Sequence, residues 1–410
     1  VNAFHHCRRG AGNSPRRARR RTALLAIAFL AVAVPVEASP YVPGSDAEVL
    51  ERLPEAQDAA SRMLRQLHRQ LVEMPTDMTL AIQVATLELE RGRRLADPRY
   101  LGRAEAALLP WSASDAVPPR ILLLHAILRQ STHDFATARA DLARVLAAQP
   151  RNAQAWLTRA TISAVQADYA AALADCGQLA LLDIGLAPAV CTASVMSLTG
   201  HARLSLKALA IAFAAATAEP TPVRLWAKTV TGEVAARLGE TALAETAFRD
   251  ALGLGSDDAY LLGAYADFLL DQGRPAEVVE LLKDRTRIDP LLLRLALAED
   301  ALGLPATAAH VADLQARFAV ARLRGETIHQ REEARFTLVL LHRPDEAVRL
   351  AQANWQVQRE PADARILLEA AAAAGRPQEA AAAADWVRRN GVEGSALAKL
   401  AAAVPATVQP

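Results

Sequence analysis

Aromatic side chains are scarce in this chain: Phe, Trp and Tyr make up 4% of its 410 residues, although 52% are hydrophobic. Sheet proteins draw their cores from aromatic and β-branched residues. Here Ala and Leu carry the apolar content instead, which argues for close-packed helices. Cysteine is nearly absent, with three residues in all, at positions 7, 176 and 191. No Cys or His spacing suits zinc, and neither H-x-x-x-H nor H-E-x-x-H occurs. Phosphate-cradling glycine loops, dinucleotide fingerprints and G-x-S-x-G elbows are also missing. The paired acids Asp257-Asp258 and Glu332-Glu333 are adjacent in sequence, and neighbouring residues on a helix point apart. The expectation is an all-α protein with no cofactor, no metal site and no catalytic residues.

A formal charge of +1 conceals an uneven distribution. Residues 1–38 hold seven arginines (8, 9, 16, 17, 19, 20 and 21) and one acid, Glu37. Without that segment 39 basic residues face 44 acidic ones, a charge near −5. A mildly acidic body lacks the electrostatic footprint of a nucleic-acid binder. The arginines precede an apolar run from Thr22 to Val36, and Val36-Glu37-Ala38 ends it with small residues where a signal peptidase reads them. This order predicts a secretory signal cut after Ala38 and a periplasmic destination. A spanning helix needs about 20 apolar residues, and Pro35 closes this run early. The competing reading keeps the segment uncleaved as a membrane anchor. Arg20-Arg21 is a weaker pointer to twin-arginine export. Beyond the segment no second run reaches membrane length.

What the chain has in quantity is a recurring turn. His133-Asp134-Phe135, Ala167-Asp168-Tyr169, Gly239-Glu240-Thr241, Gly273-Arg274-Pro275, His342-Arg343-Pro344 and Gly375-Arg376-Pro377 each follow a helical apolar stretch. Gly200-His201-Ala202 and Gly303-Leu304-Pro305 are weaker members. The third residues of successive turns lie 30 to 39 positions apart, most often 33 or 34. Three residues beyond each turn stands a mostly small side chain: Ala138, Ala172, Ser205, Ala244, Val278, Ala308, Ala347 and Ala380. Two antiparallel helices joined by a tight turn approach closely only where a side chain is small. Gly ends the first helix at positive φ, and Pro fits the first turn of the second.

These units resemble the tetratricopeptide repeat family, whose period is about 34 residues. Gly232, Gly239, Ala244, Phe248 and Ala251-Leu252 follow its consensus, as do Trp156, Ala160, Asp168-Tyr169 and Ala172. Trp226 sits two residues ahead of the consensus aromatic, and Ser205 and Val278 depart from it. Eight units in phase occupy residues 119–394. Before them, residues 39–118 read as a capping helix (Pro54 to Glu73) and one degenerate pair (Asp77 to Arg91 and Tyr100 to Leu109) joined by an irregular Gly92 to Pro98 link. Residues 395–410 read as a short helix and a frayed tail.

The resemblance implies a right-handed superhelical solenoid of stacked antiparallel helix pairs. Its concave groove, lined by the first helix of each unit, would bind a protein or peptide partner. Candidate groove residues are Arg120, Leu123 and Ile127; Gln154, Leu157 and Thr161; Trp226, Glu233 and Arg237; and Tyr260, Asp267 and Asp271. The Lys and Asn clamp that family members use for chaperone tails is missing. Cys176 falls on the second helix of one unit and Cys191 on the first of the next. Either a disulfide joins them or they are two buried free thiols. The function expected is an exported interaction scaffold. The alternatives are an assembly subunit of an envelope complex held by the uncleaved N-terminal helix and, more remotely, a helical-toroid enzyme acting on glycans.

Overall fold

The computed structural model describes residues 58–405 except 113–116, 183, 217, 255 and 256, together with residues 45 and 48. The expected signal segment, its cleavage site and the C-terminal tail beyond residue 405 lie outside the described residues. The chain divides into two units, residues 1–55 and 56–410. In the first, Glu48 N–H donates to the Ser45 carbonyl at 3.0 Å. The second holds all the helices described below.

Among the described residues every regular element is a helix. A capping helix α1 (Ala59–Glu73) precedes nine antiparallel pairs. The first two pairs are α2 (Met78–Leu95) with α3 (Pro98–Ser112) and α4 (Pro119–Ser131) with α5 (Phe135–Ala148). Next come α6 (Ala153–Val165) with α7 (Tyr169–Ala180), and α8 (Ala187–Met196) with α9 (Ala202–Ala215). The middle of the array is α10 (Thr221–Leu238) with α11 (Thr241–Leu252), α12 (Ala259–Asp271) with α13 (Pro275–Leu282), and α14 (Asp289–Leu302) with α15 (Thr307–Leu323). The last pairs are α16 (Gln330–Val339) with α17 (Pro344–Val357), and α18 (Pro361–Ala373) with α19 (Ala381–Asn390). A 3₁₀ turn, Pro377–Ala380, leads into α19, and α20 (Ser395–Ala402) ends the array. This is an all-α helical repeat fold. No helix of the described residues is long and apolar enough to cross a membrane.

Local chemistry sets these boundaries. Asp58, Asp77, Asp134, Asn152, Asp168 and Asp258 each accept a hydrogen bond from a backbone N–H three residues on, satisfying a donor the helix leaves free. The first residue of all eight turn triplets has positive φ: His133, Ala167, Gly200, Gly239, Gly273, Gly303, His342 and Gly375. Seven of the eight small residues beyond the turns are buried. Ala308 is exposed, and here the structure corrects the sequence reading. Pro305 and Ala306 form an extra turn, so α15 starts at Thr307 and its buried row is Leu314, Phe318 and Ala321. A second correction concerns Gly92, which interrupts nothing: α2 runs through it to Leu95. A Cβ there would lie 3.2 Å from Leu101 and Tyr100, so the glycine lets α3 lie close.

The array coils back on itself. One continuous apolar cluster joins Tyr169, Cys176 and Val195 from α6–α8 to Trp355, Leu367, Trp386 and Leu397 from α17–α20. Trp386 Nε1 donates to Tyr169 Oη at 3.1 Å, and the Trp355 and Trp386 rings meet edge to face with centroids 5.7 Å apart. Backbone and polar contacts continue this seam. Arg359 N–H donates to the Val165 carbonyl at 2.8 Å, and Gln358 Nε2 lies 2.6 Å from His133 Nε2. The Ala202 N–H meets Glu393, and a Cβ on Gly200 would stand 3.3 Å from the Gly391 carbonyl. Helix α12 likewise packs on α2, and α10 on α20.

Candidate partner-binding face

The first helices of successive pairs bring their polar faces together. Glu233 and Arg237 come from α10, Tyr260, Asp267 and Asp271 from α12, and Arg294 from α14. Arg331, Glu332 and Arg335 come from α16, and Asp363, Arg365 and Glu369 from α18, with Glu360 at its N-cap. Asp267 is held by two guanidiniums, Arg294 Nη2 and Arg335 Nη1, each at 2.5 Å. Burial works against its charge, yet the two arginines hold its carboxyl well below the usual range. Arg365 donates to Asp271 Oδ2 and Glu369 Oε1, both at 2.7 Å.

Arg331 is shared more widely. It lies 3.2 Å from Glu332, 3.1 Å from Glu360 and 3.4 Å from Asp363, so one cation serves three carboxylates. Asp363 is fully buried and also accepts from Asn354 Nδ2 at 2.8 Å and from the Glu360 N–H at 2.9 Å. Burial, then the charge of Asp363, pushes Glu360 up to about 7, and burial raises Asp363 as well. Glu233 is raised by burial, and Arg237 is lowered by it.

Tyr260 stands out on this face. Its Oη donates to Glu233 Oε1 at 2.7 Å, and the residue is 63% exposed. The charge of Glu233, then burial, raises the phenol well above its ordinary value. Chemically, the arrangement offers an aromatic face beside carboxylates that lack a full complement of cations.

Of the residues expected to line a groove, Glu233, Arg237, Tyr260, Asp267 and Asp271 thus belong to one cluster. Arg237 also turns to the seam, donating to Ser197 Oγ at 2.8 Å. Trp226 is half-buried against two apolar clusters. Ile127 is buried and Leu123 half-buried in the core around α4, while Arg120 is exposed. Gln154 donates to Thr158 Oγ1 at 3.1 Å, Thr161 Oγ1 donates to the Leu157 carbonyl at 2.9 Å, and Leu157 packs on the core. Sequence reasoning missed Arg294, Arg331, Arg335, Glu360, Asp363 and Arg365. The signal was present, since Arg294 follows Asp267 by 27 residues on the next inner helix, but only the coil brings Arg335 and Arg365 to α12.

Cys176 and Cys191 form a disulfide with Cα atoms 5.6 Å apart, tying α7 to α8. No group of three or more His, Cys, Asp or Glu residues that could hold a metal ion occurs among the described residues.

No protein-family model matches the chain, and no curated protein matches it. Several solved structures are similar. One is Cut9 in the APC/C Cut9–Hcn1 hetero-tetramer, at 15% identity and a TM-score of 0.38, over 76% of this chain and 52% of that one. A tetratricopeptide repeat protein from Parabacteroides merdae gives 11% and 0.34, over 70% of this chain and 99% of that one. Human IFIT1 crystallised with m7Gppp-AAAA gives 14% and 0.43, over 81% and 86%. The chain therefore spans about half the length of Cut9. The architecture rests on the helices and contacts described above.

Proposed function

We propose that the chain is an exported interaction scaffold that seats a segment of a protein partner against its inner helices. Exposed Tyr260, bonded to Glu233, carries this reading. Large amphipathic side chains anchor interfaces out of proportion to their area, and this one stands among half-compensated carboxylates. The acids favour a partner segment that brings cationic side chains. Export is supported by the order of charge and hydrophobicity in residues 16–38. The disulfide adds support, because such bonds persist mainly in oxidising compartments.

The full chain, immobilised and exposed to an envelope extract, is expected to retain a specific partner. The Tyr260→Ala and Glu233→Gln variants should each weaken that retention about tenfold or more while melting at the parent temperature. Equal recovery on parent and variants would remove the inner face from the account.

A further inference from the structure

The outer helices of three consecutive pairs carry a surface unlike the rest of the array. Counting from the last residue of each turn triplet, positions +1, +5, +8 and +12 are exposed on α5, α7 and α9. They read Ala-Ala-Ala-Ala, Ala-Ala-Gly-Leu and Arg-Lys-Ala-Ala. The exposed acids Asp134 and Asp168 cap the N-terminal edge of α5 and α7, and beyond these caps no carboxylate of the three helices faces solvent. Asp141 and Asp175 are buried and paired with Arg129 and Arg159, and α9 has no acid. Later outer helices differ, with exposed Asp250, Glu277, Glu280 and Asp345.

Small residues alone would mean nothing, but two further features accompany them. Leu181, Ile211 and Leu204 are 73%, 71% and 52% exposed. They are three of the seven large apolar side chains more than half exposed among the described residues. Arg144 and Lys207 are exposed with no ion-pair partner among the described residues, while Arg203 bonds Glu240 at 2.9 Å. Antiparallel pairing makes the outer helices run parallel, so their C-terminal ends, with Arg144, Leu181 and Ile211, come to one edge of the array.

We infer that the outer face of α5, α7 and α9 docks on an anionic lipid bilayer. Charge complementarity selects this occupant. Past its N-terminal edge this face shows no carboxylate among the described residues, so its free basic side chains match a plane of negative headgroups, and aliphatic side chains standing above alanines reach the acyl boundary. An acidic protein would satisfy the bases but gives no reason for the exposed aliphatics. The inference is independent of the inner-face reading, which concerns the other side of the helix pairs.

The test uses the full chain in a Cys7→Ser background, with a nitrobenzoxadiazole label at Ile211→Cys or, as a control on α17, at Gln356→Cys. Because the readout is local, the N-terminal apolar run can tether the chain to any vesicle without mimicking the result. The label at 211 is expected to shift to the blue with phosphatidylglycerol-containing vesicles, but not with phosphatidylcholine alone, and the label at 356 in neither case. Arg144→Gln with Lys207→Gln should weaken the response roughly 25-fold, about fivefold per charge, with unchanged melting. No shift at 211, equal shifts at both positions, or equal response to both vesicle types would overturn the inference. So would a shift with soluble polyglutamate and none with vesicles, which would identify an acidic protein surface instead.

Discussion

At the scale of single residues, the eight turns show how a backbone requirement selects side chains. His133, Ala167 and His342 sit at φ of 62°, 62° and 53° without being glycine. Left-handed backbone costs an L residue about 1–2 kcal/mol, and a glycine returns about half to one kcal/mol of that through the flexibility of the unfolded chain. Ala167→Gly should therefore stabilise by up to about 1 kcal/mol. At Gly239, where an added Cβ meets nothing within 4 Å, Gly239→Ala should destabilise by about the same amount. Denaturant titration of the two variants checks the pair, and changes of the same sign would show that φ does not govern these positions. His133 also has a tertiary partner in Gln358, a contact its turn position does not announce.

At the scale of elements, pairing was legible because its signals are local: caps, turns and small contact residues recur within each unit. The buried acids were not. Glu88, Asp141, Asp175, Glu299 and Glu333 are inside and are met by His68, Arg129, Arg159, His310 and Arg322, each from an adjacent helix. In sequence they read as ordinary solvated charges, because a single helix does not show which flank its neighbour covers. The Cys176–Cys191 bond belongs to this scale too. It closes a span of 15 residues, and loop-closure entropy assigns such a link about 3 kcal/mol. Reduction should lower stability by that amount, and Cys176→Ala with Cys191→Ala should abolish the effect of reductant. In producing cells both thiols should resist alkylation before reduction. Free thiols in the exported fraction would contradict both the bond and the compartment it supports.

At the scale of the whole array, the coil puts titratable groups where no single pair would. Burial and the neighbouring Asp363 push Glu360 up from 4.5 to about 7 in the folded chain. A carboxylate whose pKa rises on folding binds more protons folded than unfolded between those values. Its contribution to stability therefore falls as pH rises from about 4.5 to 7. His133, lowered to about 4 by burial and then by the charge of Arg331, acts in the opposite sense, losing stability as pH falls below about 6.5. The two partly cancel in any single melting curve, so the informative quantity is a difference. Glu360→Gln should melt higher than the parent at pH 7.5, and the gap should close by pH 5. A gap independent of pH would mean that Glu360 is not the group responsible.

Apart from the start of α15 and the end of α2, the amino-acid sequence by itself determined the helices, their pairing and the positions of the turns, because caps, left-handed residues and small contacts act within about forty residues. It also placed Tyr260, Glu233 and Asp267 on the same side of successive helices. Only the tertiary structure decided that α17–α20 return to cover α6–α8, and that Arg335 and Arg365 reach α12. Those contacts depend on the small rotation between neighbouring pairs, summed along the array, and no local segment encodes that sum.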